Sequence, residues 1–240
     1  MNEVKTRDDM ALRAPVQDED QAGSGRRVAG ADPAKREQIL AGAKRVFMSV
    51  GFDAASMNDI AREAGVSKGT IYVYFDNKED LFCRLIEEER ARFVRNVKDT
   101  LNDQAPIQHT LTGFGIRFAT HVCSESTICA MRSVLSVKER MPQLTKRFFS
   151  ATPENVYTVL KSFLDRQVDA GRLEIDDVEL AARQFIDLCT AGVFKRRLFG
   201  DLAVPPDEDE IARMVASAVR LFTVGYAPSA QGYEREQRHA

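Results

Sequence analysis

The chain has 240 residues, of which 44% are hydrophobic and 29% charged, with a formal net charge of -2. That length can bury a sizeable core as one large domain or two small ones. No apolar run approaches the roughly eighteen residues of a membrane span, and a near-neutral balance confines any nucleic-acid contact to a local surface.

Residues 1–31 are polar, mixed in charge and rich in Gly near their end, and they contain no apolar stretch of the kind a secretion signal needs. Such a composition buries too little apolar surface to offset ordering entropy, so the segment is expected to be disordered, as is the tail 227–240. The expected location is the cytoplasm. Cys83, Cys123, Cys129 and Cys189 are widely spaced with no CxxC pair, which fits reduced thiols rather than a disulfide framework or a zinc site.

Between the termini the apolar period is helical throughout. Asp32 and Pro33 form an N-cap and first-turn pair, and Gly51 is placed as a stop. Ile39, Ala43, Val46, Phe47 and Val50 make one stripe between them. Ser56 and Asp59 resemble a capping box opening a second helix. A third begins after Ser67, and Asp76 or Asn77 caps a fourth. Further helices are expected near 105–123, 126–139, 142–150, 153–170, 177–199 and 207–224. In the last two, the buried faces read as Ala182, Phe185, Ile186, Cys189 and Val193, then Ile211, Met214, Val215, Ala218, Leu221 and Phe222. Strand signals are lacking, so the expected class is all-α.

The stretch "SMNDIAREAGVSKGTIYVYF" reads as helix, turn, helix. Ile60, Ala61 and Ala64 share one face, Gly65 allows a left-handed stop, Val66 fills the corner and Ser67 caps the next helix. Ile71 then faces inward, leaving Lys68, Thr70, Tyr72 and Tyr74 outside, as in a helix presented to the DNA major groove. Lys68 can donate to guanine, and Thr70 can reach base edges or a thymine methyl. Tyrosine hydroxyls and Lys78 are phosphate donors. A three-helix packing unit with a merely solvated polar face is the bland alternative.

Residues 36–82, with "ILAGAKRVFMSVGFDAASMNDIAREAGVSKGTIYVYF" followed by "NKEDL", resemble the DNA-binding domain of the TetR family of bacterial transcriptional regulators. The resemblance implies an N-terminal three-helix DNA-binding domain at 32–81 and a larger effector-binding and dimerisation domain at 82–226. It places Lys68, Gly69, Thr70 and Tyr72 at base-facing or groove-entering positions. It places Tyr74 and Lys78 at phosphate positions and Ser56, Met57 and Asn58 at further DNA contacts, although Met57 departs from the more usual polar residue. Arg26 and Arg27 can add phosphate or minor-groove contacts or serve as a solubilising linker. The region 105–200, with "AARQFIDLCTAGVFKRRLFG", resembles the AcrR-like branch.

The family further implies a homodimer through the last two long helices, a palindromic double-stranded DNA operator, and a repressor released by a small apolar or aromatic effector. Candidate effector contacts are Phe114, Phe118 and His121, on one helical face, with Met131, Phe148, Phe149 and Phe163. Each is also a plausible core residue. No phosphate loop, nucleophile elbow or HExxH motif is present, so neither an enzyme nor a cofactor is expected. His121 and Cys123 lie two apart on a helix and make poor joint metal ligands. Two rival readings stay open: a cysteine-based redox-sensing regulator, and a helical protein with no DNA role.

Overall fold

The computed structural model describes residues 32–142 and 155–228. The helix expected at 142–150, together with Phe148 and Phe149, lies outside the described residues. Among the described residues ten helices run in order: α1 (Pro33–Ala54), α2 (Met57–Ala64), α3 (Lys68–Tyr74), α4 (Lys78–Lys98), α5 (Ile107–Cys123), α6 (Glu125–Val137), α7 (Val156–Asp169), α8 (Val178–Thr190), α9 (Val193–Phe199) and α10 (Glu208–Gly225). The described residues contain no strand, as the all-α reading expects.

Local capping chemistry sets most helix starts. The Asp32 carboxylate accepts from the Ala34 and Lys35 amides at 3.0 and 3.4 Å. Ser56 Oγ accepts from the Asp59 amide at 3.2 Å and donates its hydroxyl to the Asp59 carboxylate at 2.6 Å. Ser67 and Asn77 cap α3 and α4 in the same way. Gly51 breaks the α1 axis at φ 78, after which a short turn carries the buried Phe52. Val50 falls off the inner stripe and is 52% exposed, because the break turns it outward.

Two apolar cores follow. The first joins Ile39, Ala43, Val46 and Phe47 of α1 to Ile60 of α2, Ile71 of α3 and Leu81, Phe82, Leu85 and Ile86 of α4. Val134 and Val137 of α6 close it. The second is built by the end of α4 with α5, α7, α8 and α10 around Phe114, Phe163, Phe185 and Phe222. Phe185 stands edge-on to Phe222 at 5.0 Å between centroids. Gly115 of α5 admits α10 here, since a Cβ would meet Val215 Cγ1 at 2.7 Å.

The helix expected over 177–199 is instead two. Ala191 (φ 43) and Gly192 (φ 83) both adopt the left-handed conformation, and the Ala191 amide turns back onto the Asp187 and Leu188 carbonyls. The apolar period runs through this point, so periodicity does not reveal the break. Arg197 of α9 is then buried, donating to the Cys123, Leu202 and Ala203 carbonyls and to the Glu125 carboxylate. In α10 the outer edge of the expected buried face is exposed, with Leu221 at 55%.

The closest packing lies between α1 and α2. Gln38 Nε2 donates to the Ala64 carbonyl at 2.6 Å. A Cβ on Gly42 would lie 2.6 Å from Ala64 Cβ and 2.8 Å from Ala64 Cα. Gly42→Ala is therefore expected to cost about 1–3 kcal/mol, because backbone must move. Gly113→Ala, whose added Cβ meets nothing within 4 Å, is expected to gain up to about 1 kcal/mol from helix propensity. Urea denaturation of the two variants checks both signs.

Candidate DNA interface and effector cavity

α2 and α3 meet at a turn fixed by few contacts. Gly65 takes φ 64, ψ 39 and its amide closes onto the Ala61 and Arg62 carbonyls. This ends α2 in a conformation that glycine adopts without Cβ strain. Ile71 is the buried anchor of the seven-residue α3, and Phe75 follows it into the core. Lys68, Gly69, Tyr72 and Val73 are exposed on the outer side, and Thr70 is half-exposed with its hydroxyl 2.8 Å from Ser67 Oγ. Ser56 and Asn58 are exposed at the start of α2.

At three positions the structure shows packing or bonding that the sequence does not express. Met57 is 8% exposed and packs in the first core, so its side chain serves as a packing group. Its non-polar character, unusual for that position, is the sequence signal for this role. Tyr74 is half-buried and packs against the same core. Lys78 Nζ donates to the Phe52, Asp53 and Ala55 carbonyls at 2.9, 3.4 and 2.8 Å. The ammonium also lies 4.5 Å from the Phe52 ring centroid. Its three donors are thus engaged in closing the chain after Gly51. Val73, 49% exposed beside Tyr72, was not singled out from sequence; its apolar side chain suits a thymine methyl.

A cavity of about 600 Å³ lies between the two cores. Its wall takes Phe47 and Met48 from α1, Phe82, Leu85 and Phe93 from α4, and Phe118 and Val122 from α5. Met131 and Val134 of α6, Tyr157 of α7 and Ile186 of α8 complete an apolar surface. Of the candidate effector contacts, Phe118, His121 and Met131 face this cavity. Phe114 and Phe163 do not: both are fully buried in the second core, where Phe114 packs against Phe185 of α8. Phe114 sits one turn before Phe118 on the same face, and that turn is already covered.

Charged groups interrupt the wall at Lys44, Glu89, Arg90, Arg183 and Asp187. Lys44 Nζ lies 2.5 Å from Glu89 Oε2, and Arg183 is paired with Glu179 at 2.7 Å while stacking on Tyr157. His121 stacks on Phe93 with centroids 3.6 Å apart, and burial holds its imidazole below the usual histidine range. Sequence reading missed Lys44, Glu89 and Phe93, whose common wall is assembled only in three dimensions.

The four cysteines stand outside any disulfide. Burial pushes the Cys189 thiol up to about 12 and Cys123 to about 11, so neither carries appreciable thiolate near neutrality. Cys129 faces the cavity, with its thiol 3.7 Å from the Met48 carbonyl and also raised by burial. Among the described residues no cluster of His, Cys, Asp and Glu can hold a metal, and no helix is long and apolar enough to cross a membrane.

Known proteins share both halves of this arrangement. Residues 39–85 match the family model for bacterial regulatory proteins of the tetR family, and residues 109–228 match the AefR-like transcriptional repressor C-terminal domain. The fatty acid metabolism regulator protein of Bacillus subtilis (strain 168) is 27% identical over 159 residues, covering 63% of this chain and 77% of that protein. The flavonoid-responsive regulator FrrA superposes with a TM-score of 0.65 at 27% identity, covering 83% of this chain and 100% of FrrA. A TetR-family regulator from Mesorhizobium loti MAFF303099 shares the fold, with a TM-score of 0.75 at 23% identity over 81% of this chain and 97% of its own. With its capped helix-turn-helix and a cavity between two helical cores, the chain belongs to the TetR family of bacterial regulatory proteins and is a ligand-responsive DNA-binding transcriptional regulator.

Proposed function

We propose that the protein acts in the cytoplasm as a homodimeric repressor, holding a palindromic operator until a small, largely apolar effector fills the cavity. The observation that carries this reading is the shared wall. Phe47 and Met48 line the cavity, yet they belong to the helix that also packs α2 through Gly42 and Gln38. A ligand in the cavity thus bears directly on the unit that presents α3. Release requires only that the effector prefer the conformer whose two recognition helices are wrongly spaced. The names of two relatives, a fatty acid metabolism regulator and a flavonoid-responsive regulator, agree with an apolar or aromatic effector.

On this reading Lys68, Thr70 and Tyr72 meet bases, with Val73 beside them, and Tyr74, Ser56 and Asn58 position the backbone. A shallow groove between α8 and α10, lined by Gln184, Leu188, Met214 and Leu221, supports dimerisation there. The exposed Leu180, Leu221 and Val224 extend its apolar surface. A solitary subunit leaves this face to water, whereas a two-fold partner covers it with the same residues.

Gel-shift titration against an operator selected from genomic DNA should find Thr70→Ala weaker by about 1–3 kcal/mol at particular base pairs only. Failure of the unaltered protein to retain any fragment would sink the assignment. Lys78→Met should behave differently: it strands three carbonyls and should lower folding stability by about 1–3 kcal/mol without DNA present. An unchanged melting transition would return Lys78 to a phosphate role. Leu221→Lys should shift the sedimentation coefficient to that of a monomer and weaken operator binding, since two half-sites are then no longer held together.

A further inference from the structure

An apolar effector leaves one corner of the cavity without a task. There Lys44 of α1 meets Glu89 of α4 at 2.5 Å, and His121 of α5 presents its ring from the stack on Phe93. The three groups are electrostatically coupled, with Glu89 and Lys44 pulling the imidazole in opposite senses. Arg90 follows Glu89 along α4 on the same wall. The remaining charged groups of the described wall are Arg183 and Asp187 of α8, and Arg183 is engaged by Glu179 and the Tyr157 ring.

We infer that Lys44 and His121 read an anionic head on the effector, which is an apolar acid whose carboxylate takes Lys44 over from Glu89. This rests on the cavity being the effector site. An ammonium offers three donors and no acceptor, and a neutral imidazole can present one N–H, so both complement an acceptor-only group. An apolar amine meets Lys44 with like charge. An alcohol matches the shape but cannot replace the charge of Glu89. Nor does the exchange strand Glu89, because Arg92 Nη1 already lies 3.6 Å from its other oxygen.

The placement of Lys44 gives the exchange its consequence. α1 is tied to α4 by Lys44–Glu89, by Arg92 to Glu37 at 2.6 Å and by Arg36 to Glu88 at 3.6 Å. An acid that draws Lys44 into the cavity removes the one of these ties that lines it, whereas a headless apolar molecule leaves all three. The head of the ligand, more than its bulk, then selects the conformer of the DNA-binding unit.

The test is calorimetric titration of the full chain with dodecanoate, dodecanol and dodecylamine, repeated with the naphthyl acid, alcohol and amine. The acid of at least one series should bind about tenfold or more tighter than its alcohol, as expected for a charged hydrogen bond. Lys44→Met should erase that preference and Lys44→Arg should keep most of it. A carboxylate beside His121 raises the pKa of an imidazole that burial had lowered, so binding of the acid near pH 7 should take up protons. Uptake appears as a dependence of the apparent enthalpy on buffer ionisation enthalpy, and His121→Gln should remove it. Equal affinity for acid and alcohol, or an acid preference undiminished in Lys44→Met, overturns the inference and leaves the cavity as an effector site. If no probe of either series binds in any head-group form, the effector reading of the cavity falls with it.

Discussion

The contact on which the molecule depends is the aromatic triad of Phe47, Phe52 and Phe82. Phe82 stands edge-on to Phe47 at 5.2 Å and tilted against Phe52 at 4.9 Å, with Phe47 and Phe52 5.7 Å apart. These rings join the two sides of the break at Gly51 to α4, so they form the middle of the DNA-binding core. Phe47 and Phe82 also line the cavity. One packing unit is therefore the interior of one functional part and the wall of the other. Close-packed interiors do not deform smoothly, so a displaced ring must pass its displacement to α1 or α4. The charges around the triad reinforce it: Lys78 lies over the Phe52 ring, and Arg140, just after α6, pairs with Asp53.

Ion pairs between α1 and α4 contribute less to holding these helices than the rings do. The side chains of Arg36, Glu88, Lys44, Glu89, Arg92 and Glu37 are each between 31% and 51% exposed. Pairs of that kind contribute about 0–1 kcal/mol and are screened by salt, while burial of a phenylalanine is worth about 1.5–3 kcal/mol. The rings thus supply cohesion and the charges supply register. Weak ties suit a joint that has to change state, because an effector can exchange one of them without unfolding what the rings hold.

The DNA-binding half was legible in the sequence because its information is local. Asp32, Ser56, Ser67 and Asn77 are each within four residues of the amides they cap, and Gly65 alone supplies the left-handed turn. The contacts there that the sequence does not express are those that depend on distant groups. Lys78 is held by carbonyls 23 to 26 residues earlier, which no motif spacing expresses. The cavity was legible only in part for the same reason. Phe114 and Phe118 share a helical face, but which of them meets open space depends on where α8 and α10 arrive. Lys44 reads in sequence as a polar neighbour of the stripe containing Ala43 and Phe47. Its role emerges only when α4 brings Glu89 within 2.5 Å.

That the same helix serves both parts also limits how the protein can respond. α1 has little freedom toward α2, since Gly42 and Ala64 are in backbone contact and Gln38 bonds the Ala64 carbonyl. α1, α2 and α3 must therefore move together when the cavity is filled, as a body turning on the rings beneath it. Recognition by a two-fold dimer is sensitive to that motion, because half-site spacing is set by the DNA helical repeat of about 34–36 Å. A change that leaves each α3 intact can then abolish joint binding, and the free energy required is only the difference in effector affinity between the two arrangements.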